Sequence, residues 1–109
     1  MSIKSFFAIP LAKIAIKKVN KWASNPHKTQ EKVFKNLISK ASKTAFGKDH
    51  DFENIHNYAD FKARVKIQDY EGLRKYVDRM VAGESDILWP GKPLYYAKTS
   101  GTTSGAKYI

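Results

Sequence analysis

The C-terminal residues of the chain read Thr99-Ser100-Gly101-Thr102-Thr103-Ser104-Gly105-Ala106-Lys107, followed by Tyr108 and Ile109. Glycine allows the backbone to adopt positive φ and to approach a ligand closely. Successive backbone N–H groups in such a loop form a concavity that binds anions, and hydroxyl groups add further donors. A lysine supplies a positive charge for phosphate oxygens. The stretch therefore predicts a polyphosphate-binding loop with these candidate ligands: Thr99, Ser100, Gly101, Thr102, Thr103, Ser104, Gly105 and Lys107.

The spacing of the loop excludes two well-known glycine motifs. A Walker A loop has four residues between its glycines and a lysine directly after the second one, but only three residues separate Gly101 from Gly105. A nucleophile elbow has the order Gly-x-Ser-x-Gly, whereas Ser104 lies directly before Gly105. The composition also allows a plain hairpin turn, which would join a strand over residues 94–98 to a second strand beginning at Lys107.

The length and composition limit the class of protein. A chain of 109 residues forms one domain at most. It has no cysteine, which excludes disulfides, thiolate catalysis and cysteine-based zinc sites. The N-terminus lacks the pattern of a secretory signal, and no stretch approaches the roughly 20 apolar residues that a membrane span needs. We therefore expect a soluble cytoplasmic protein.

The positive charge is concentrated in the first half of the chain. The formal net charge is +10, and residues 1–48 contain eleven lysines and one acidic residue, so they account for all of it. Such asymmetry is typical of a solvated lysine face, and it also occurs where a protein contacts nucleic acid or an anionic membrane. A basic helical module with either partner is the alternative to a phosphate-binding protein.

Hydrophobic periodicity predicts about four helices before the loop. The first covers residues 3–24, with its regular part beginning near Ile9 because Pro10 disfavours a helix interior. The second begins at Asn25-Pro26, runs to about Ala45 and is stopped by Gly47. Together they would form a basic helical hairpin over residues 1–48.

The remaining segments complete a mainly α-helical fragment. Residues 47–57 read as a polar connection, in which His50 and His56 are surface residues rather than metal ligands. A short helix over 58–65 is followed by one from the N-cap Asp69 to Ala82, closed by Gly83. Its buried face would comprise Tyr70, Leu73, Val77, Met80 and Val81.

The loop and the residues before it resemble a known family. Residues 99–107 are similar to the first ATP-binding motif of the auxin-responsive promoter family, the acyl acid–amido synthetases of the acyl-adenylate-forming superfamily. Upstream, the resemblance includes Phe61-Lys-Ala-Arg-Val-Lys-Ile-Gln-Asp-Tyr-Glu71 and Tyr76-Val-Asp-Arg-Met-Val-Ala-Gly-Glu-Ser-Asp-Ile-Leu88, so that it covers residues 58–109. Lys66 stands where the family pattern has proline, and Thr99 and Thr103 stand where serine is frequent.

This resemblance implies an α/β fold in the intact family, of which residues 1–109 would be the N-terminal part of an incomplete acyl-adenylating domain. It implies an ATP-dependent ligase, with Mg²⁺, that joins a carboxylic acid to an amine or amino acid, with no nucleic-acid partner. The loop would bind the phosphates through backbone N–H groups, hydroxyl groups and Lys107. No catalytic residue or metal ligand is identifiable in the chain, and the other walls of the site are expected beyond Ile109. The fragment alone is expected to be inactive.

Overall fold

The computed structural model describes residues 3–101 and 105–109, apart from the side chain of Ser5, and this part of the chain is mainly helical. It divides into two compact units, Met1–Phe34 and Lys35–Ile109. The prediction of a mainly α-helical fragment is confirmed. The elements, in chain order, are α1 (Ile3–Ala23), α2 (Pro26–Ala41), α3 (Ala45–Asp49), a 3₁₀ helix (Phe52–Asn54), α4 (Tyr58–Arg64) and α5 (Tyr70–Val81).

Helix α1 begins earlier than its proline suggested. It covers Ile3–Ala23, which confirms the predicted helix over residues 3–24, but it includes Pro10, so the expected beginning of its regular part near Ile9 is wrong. Proline removes one backbone donor from the helix, but six further residues of α1 precede Ile9 and extend the helix on its N-terminal side. All described side chains of α1 are exposed. The large apolar ones are Ile3, Phe6, Phe7, Ile9, Leu11, Ile14, Ile16, Val19 and Trp22.

Helix α2 ends four residues before the predicted position. Asn25 caps its start as predicted, because its side-chain oxygen accepts a hydrogen bond from Lys28 N at 3.2 Å. At the other end, Thr44 starts a new helix: its Oγ1 accepts from Gly47 N at 3.0 Å and donates to Ala41 O at 2.7 Å. The expected stop at Gly47 is therefore wrong. A side chain at Gly47 would collide with the carbonyl group of Ala41, so this glycine permits a close approach between α3 and the end of α2.

The segment predicted as a polar connection contributes to the core. Phe52 and Ile55 are buried, and the ring of Phe46 makes edge-to-face contacts with Phe52 at 5.8 Å and with Tyr76 at 5.1 Å between centroids. Such aromatic pairs add to the stabilisation from burial. The buried hydrophobic residues are Ile38, Ala41, Phe52, Ile55, Tyr76, Val77 and Ile87.

Helix α5 is the predicted one and lies across this core. Asp69 caps it by accepting from Gly72 N at 3.1 Å, and Gly83 follows its end with φ of +100°. Its most buried side chains are Tyr76 and Val77, whereas Val81 is exposed. The Tyr76 hydroxyl donates to Asp49 Oδ2 at 2.7 Å, and burial, followed by this hydrogen bond, raises the pKa of Tyr76 to about 12.

The predicted strand over residues 94–98 is wrong for the part of the chain that is described. An isolated antiparallel bridge pairs Lys98 with Tyr108 instead. Ala97 N donates to Ile109 O at 3.0 Å and Ile109 N to Ala97 O at 2.8 Å. Leu94 and Tyr95 are about nine-tenths exposed. A pair of extended segments without a third strand is marginally stable, which explains why the pairing is confined to residues 97–99 and 107–109.

Candidate phosphate-binding loop

Two hydrogen bonds close the base of the loop between Thr99 and Lys107. Thr99 N donates to Lys107 O at 2.9 Å, and Lys107 N donates to Thr99 Oγ1 at 2.9 Å. The Thr99 hydroxyl therefore holds the loop closed, and its own proton remains available for donation. The role of this residue as a phosphate ligand stays a prediction, and the structure shows that its hydroxyl oxygen accepts a hydrogen bond at the base of the loop.

The two glycines of the loop have different roles. Both have positive φ, +48° at Gly101 and +80° at Gly105. A side chain at Gly101 would overlap the backbone of Gly105 and Ala106, so the two sides of the loop approach each other closely there. A side chain at Gly105 would meet no atom of the non-neighbouring described residues within 4 Å, and the positive φ of this residue favours glycine.

The N-terminal end of α5 supports the loop through Tyr70. The hydroxyl oxygen of Tyr70 accepts a hydrogen bond from Tyr108 N at 3.1 Å, and Lys107 Nζ lies 5.5 Å from the centre of the Tyr70 ring. This distance is in the range of a cation–π contact. The structure therefore positions the lysine through both its neighbour's backbone and its own side chain. The sequence assigned Tyr70 to the core, and its spacing gave no indication of this second role.

A second tyrosine connects the other side of the loop to α5. The Tyr96 hydroxyl donates to Met80 O at 2.8 Å, and the Tyr96 ring makes an edge-to-face contact with Tyr108 at 6.1 Å between centroids. Both segments that flank the loop are thus hydrogen-bonded to the same helix. The run Leu94-Tyr95-Tyr96-Ala97-Lys98 gave the strand-like pattern in the sequence, and of its two adjacent tyrosines Tyr96 makes this anchoring contact.

The structure brings five of the eight candidate residues together. Thr99, Ser100, Gly101, Gly105 and Lys107 form the described part of the loop, and Ser100 is exposed. The other three candidates lie outside the described residues. They are Thr102, Thr103 and Ser104.

The loop region supplies no carboxylate for a metal ion. Residues 94–109 contain neither aspartate nor glutamate, and no group of three or more His, Asp or Glu side chains within 3–101 and 105–109 could hold a metal ion. His50 is half-buried, with Nδ1 2.9 Å from Phe46 O and its ring stacked on Phe46 at 4.0 Å. Because a carbonyl oxygen only accepts, Nδ1 carries the proton and has a structural contact. His56 is exposed, as predicted.

Comparisons with known proteins agree with the family resemblance. A family model described as the GH3 family N-terminal domain matches residues 15–109. Indole-3-acetic acid-amido synthetase GH3.2 of Arabidopsis thaliana is 27% identical over 96 residues, which are 87% of this chain and 18% of that protein. Indole-3-acetic acid-amido synthetase GH3.4 of the same plant is 28% identical over 96 residues, 87% of this chain and 16% of that protein. No solved structure gives a significant match.

The chain spans less than a fifth of the length of these two curated relatives. Within the described residues, no helix has both the length and the apolar character needed to cross a membrane. The family model extends from the second half of α1 to the last residue and so includes the closed loop and the helix that anchors it. The chain therefore belongs to the GH3 family.

Proposed function

We propose that this chain is the N-terminal segment of an ATP-dependent acyl-adenylating ligase that joins a carboxylic acid to an amine or amino acid. The observation that carries the proposal is the loop over 99–107, which is closed at its base and has two glycines with positive φ next to Lys107. The names of the two plant relatives, which are acid-amido synthetases, support the same reaction class.

The proposed reaction has two group transfers. A carboxylate oxygen attacks the α-phosphorus of ATP, the bond to the bridging oxygen breaks, and pyrophosphate leaves with the electron pair. An amine nitrogen then attacks the acyl carbon, AMP leaves, and loss of a proton gives the amide. Negative charge develops on the leaving pyrophosphate, so preorganised donors directed at it lower the barrier.

The loop has the donors that this task requires. Backbone N–H groups between Gly101 and Gly105 would line the phosphates, and Lys107 would offset their charge. The hydroxyl of Ser100 would donate a hydrogen bond, and we propose the same for the hydroxyl groups of Thr102, Thr103 and Ser104. Mg²⁺ bound to ATP would neutralise phosphate charge. Its carboxylate ligands would come from outside residues 94–109, because these contain no acidic side chain.

A titration of the ¹⁵N-labelled chain with ATP tests the loop assignment. We expect chemical-shift changes at the amides of residues 99–107. Lys107→Ala should weaken this binding by about tenfold, since a hydrogen bond to a charged group is lost. Lys98→Ala is the matched control: Lys98 Nζ lies 5.8 Å from the Tyr108 ring centre, a contact like that of Lys107 with Tyr70, but Lys98 precedes the loop.

Two results would contradict the proposal. One is the absence of shift changes at 99–107 in millimolar ATP. The other is an equal loss of affinity in the Lys98 and Lys107 variants, which would attribute the effect to net charge. For the chain by itself we expect no ATP–pyrophosphate exchange, because it corresponds to less than a fifth of the related synthetases. Exchange by the purified chain would show that these residues hold a complete site.

A second candidate function is contact with an anionic membrane surface through α1. This helix exposes nine large apolar side chains and contains five lysines without any acidic residue. Apolar side chains combined with lysines are typical of helices that lie in the interface of anionic bilayers. Sedimentation with vesicles tests it: binding to phosphatidylglycerol vesicles, but not to phosphatidylcholine vesicles, should occur and should decrease with salt. Equal sedimentation with and without vesicles would exclude it.

A further inference from the structure

An open cavity in the unit Lys35–Ile109 has a cationic lining that the loop does not share. Its volume is about 790 Å³, within the range of small-molecule sites. Its walls come from the end of α2, from α3, from one residue of α5 and from residues 85–90. None of the loop candidates contributes. Its lysines are Lys40, Lys43 and Lys48, and its apolar part comprises Ala45, Ile87 and Pro90.

The two carboxylates of the cavity are already engaged by donors of the fold. Asp49 Oδ2 accepts the Tyr76 hydroxyl at 2.7 Å. Asp86 Oδ1 accepts Gly91 N at 2.7 Å, which holds the turn over residues 86–91. These contacts fix both carboxylates in the wall. These carboxylates offset part of the positive charge of the lining, and no ion pair among the described residues joins them to its lysines.

The cationic side chains differ in their partners. Arg79 forms an ion pair with Glu84, with Arg79 Nη2 2.8 Å and Nε 3.0 Å from Glu84 Oε2. This hydrogen bond raises the pKa of Arg79 and lowers that of Glu84. In contrast, the ammonium groups of Lys40, Lys43 and Lys48 make no hydrogen bond or ion pair with any described residue. Three exposed lysines without an ion-pair partner among the described residues therefore line one concave space.

Other polar groups of the wall already make hydrogen bonds within the fold. Thr44 is 1% exposed and its hydroxyl is used by Ala41 and Gly47. The amides of Ala45 and Phe46 donate to Asp86 O at 2.8 Å and Ile87 O at 3.0 Å. These two amides are therefore engaged within the fold, and Lys40, Lys43 and Lys48 are the lysines of the wall without an ion-pair partner among the described residues.

We propose that this cavity is a second anion site, which binds a small di- or polyphosphate through Lys40, Lys43 and Lys48. Lysine recognises phosphate as a point charge, and several such contacts at one concave surface favour a ligand with more than one negative charge. Ala45, Ile87 and Pro90 form the apolar part of the wall and would contact an organic group attached to the phosphates. The site is separate from the ATP-binding role proposed for residues 99–107.

Titration of the ¹⁵N-labelled chain at constant ionic strength tests this site, with inorganic pyrophosphate in one arm and ADP in the other. Both carry a diphosphate. We expect shift changes at residues 40–49 and 85–88 in both arms. Similar affinity in the two arms would identify an inorganic diphosphate site. Tighter binding of ADP, with added changes at Ile87, would identify a nucleotide site.

Matched triple variants separate the cavity from the overall charge of the chain. Lys40→Ala, Lys43→Ala and Lys48→Ala together should weaken binding by about tenfold or more, because three charge contacts are lost. The combination of Lys13→Ala, Lys17→Ala and Lys21→Ala removes the same charge from α1 and should leave the affinity within about twofold. Replacing the three cavity lysines by arginine keeps the charge and should preserve binding.

Three outcomes would overturn the proposal. The first is no shift change at 40–49 and 85–88 with the unmodified chain. The second is equal weakening by the two alanine triples. The third is loss of binding in the arginine variant with an unchanged near-ultraviolet circular dichroism spectrum. Changes confined to residues 99–107 are one form of the first outcome and would leave the loop assignment intact, whereas changes confined to residues 40–49 and 85–88 would support the cavity site.

Discussion

Helix α1 and the unit Lys35–Ile109 contain similar apolar side chains in opposite environments. In α1, Phe7 is 63% exposed and Trp22 is 56% exposed. In the second unit, Phe52 is 6% exposed and Tyr76 is 2% exposed. Hydrophobic burial stabilises a fold only when apolar surface is removed from water on folding. The buried residues Phe52 and Tyr76 therefore contribute to the stability of the second unit, and the exposed Phe7 and Trp22 of α1 contribute little.

The difference arises from directional contacts that accompany burial in the second unit. There, Tyr76 donates to Asp49 at 2.7 Å and Tyr96 donates to Met80 O at 2.8 Å, and these bonds connect residues 27 and 16 positions apart. At the C-terminal end of α1, by contrast, the described side-chain hydrogen bond is local. Ser24 Oγ donates to Lys21 O at 3.0 Å, three residues earlier in the chain. A helix with local contacts alone depends on its own propensity, which is marginal in water.

The largest expected effect follows from truncating matched phenylalanines in the two regions. Phe52→Ala should lower the free energy of unfolding by about 3–5 kcal/mol, because it removes a buried ring and leaves a cavity. Phe7→Ala should change it by less than about 0.5 kcal/mol, because the ring is exposed before and after folding. Urea unfolding followed by near-ultraviolet circular dichroism measures both. Comparable losses in the two variants would show that the Phe7 ring is also buried.

Alkaline pH should affect the second unit through Tyr76. Its pKa is raised to about 12 by burial and by its hydrogen bond to Asp49, compared with 10.0 for an unperturbed tyrosine. The fold favours the neutral phenol, so this stabilisation is complete below pH 10 and is lost as pH rises through about 12. Two pKa units correspond to about 2–3 kcal/mol.

Tyr76→Phe and Tyr95→Phe provide the test of this pH dependence. The unfolding free energy of the unmodified chain should fall between pH 10 and 12 more steeply than that of Tyr76→Phe. Tyr95 is 90% exposed, so Tyr95→Phe should retain the steep fall. The same slope in all three proteins would mean that ionisation of Tyr76 is not coupled to folding.

The sequence predicted those features that depend on neighbouring residues. The caps Asn25 and Asp69 and the terminator Gly83 were predicted because their hydrogen bonds or φ angles involve residues within one turn. The family was identified from the loop and the upstream runs. The hairpin interpretation predicts that the base of the loop is closed. It does not predict the hydrogen bond that connects the loop to α5, because Tyr70 and Tyr108 are 38 positions apart.

The sequence failed where a residue acts through distant neighbours. Gly47 lies where a helix terminator was expected. Glycine is required there for another reason, because the carbonyl group of Ala41 lies too close to leave space for a side chain. Phe52 and Ile55 lie among polar residues in a segment too short for periodicity to show, and their burial depends on Phe46 and α5. Residues 94–98 have the composition of a strand. However, no third strand within the described residues pairs with them, so the pairing does not extend far beyond the bridge at Lys98.

A smaller difference in the free energy of unfolding is expected between variants of two helix caps, Thr44 and Asn25. Thr44→Val keeps the shape of a buried side chain but loses the bonds to Gly47 N and Ala41 O, and should cost about 1–2 kcal/mol. Asn25→Ala removes an exposed cap with a longer bond of 3.2 Å and should cost about 0.5 kcal/mol. Urea midpoints for the two variants measure this ranking, and a reversed order would show that α2 depends more on its start than on its end.

The smallest effect is expected for polar replacement of the α1 surface. The double variant Leu11→Gln and Ile14→Gln exchanges side chains that are 66% and 54% exposed for ones of similar helix propensity. Because little apolar surface is hidden by folding at these positions, the unfolding free energy should change by less than about 0.5 kcal/mol. A loss of more than about 1 kcal/mol in urea would mean that this face is covered in solution. If the free energy is unchanged but vesicle binding is lost, the apolar side chains of α1 serve an interaction and not the stability of the fold.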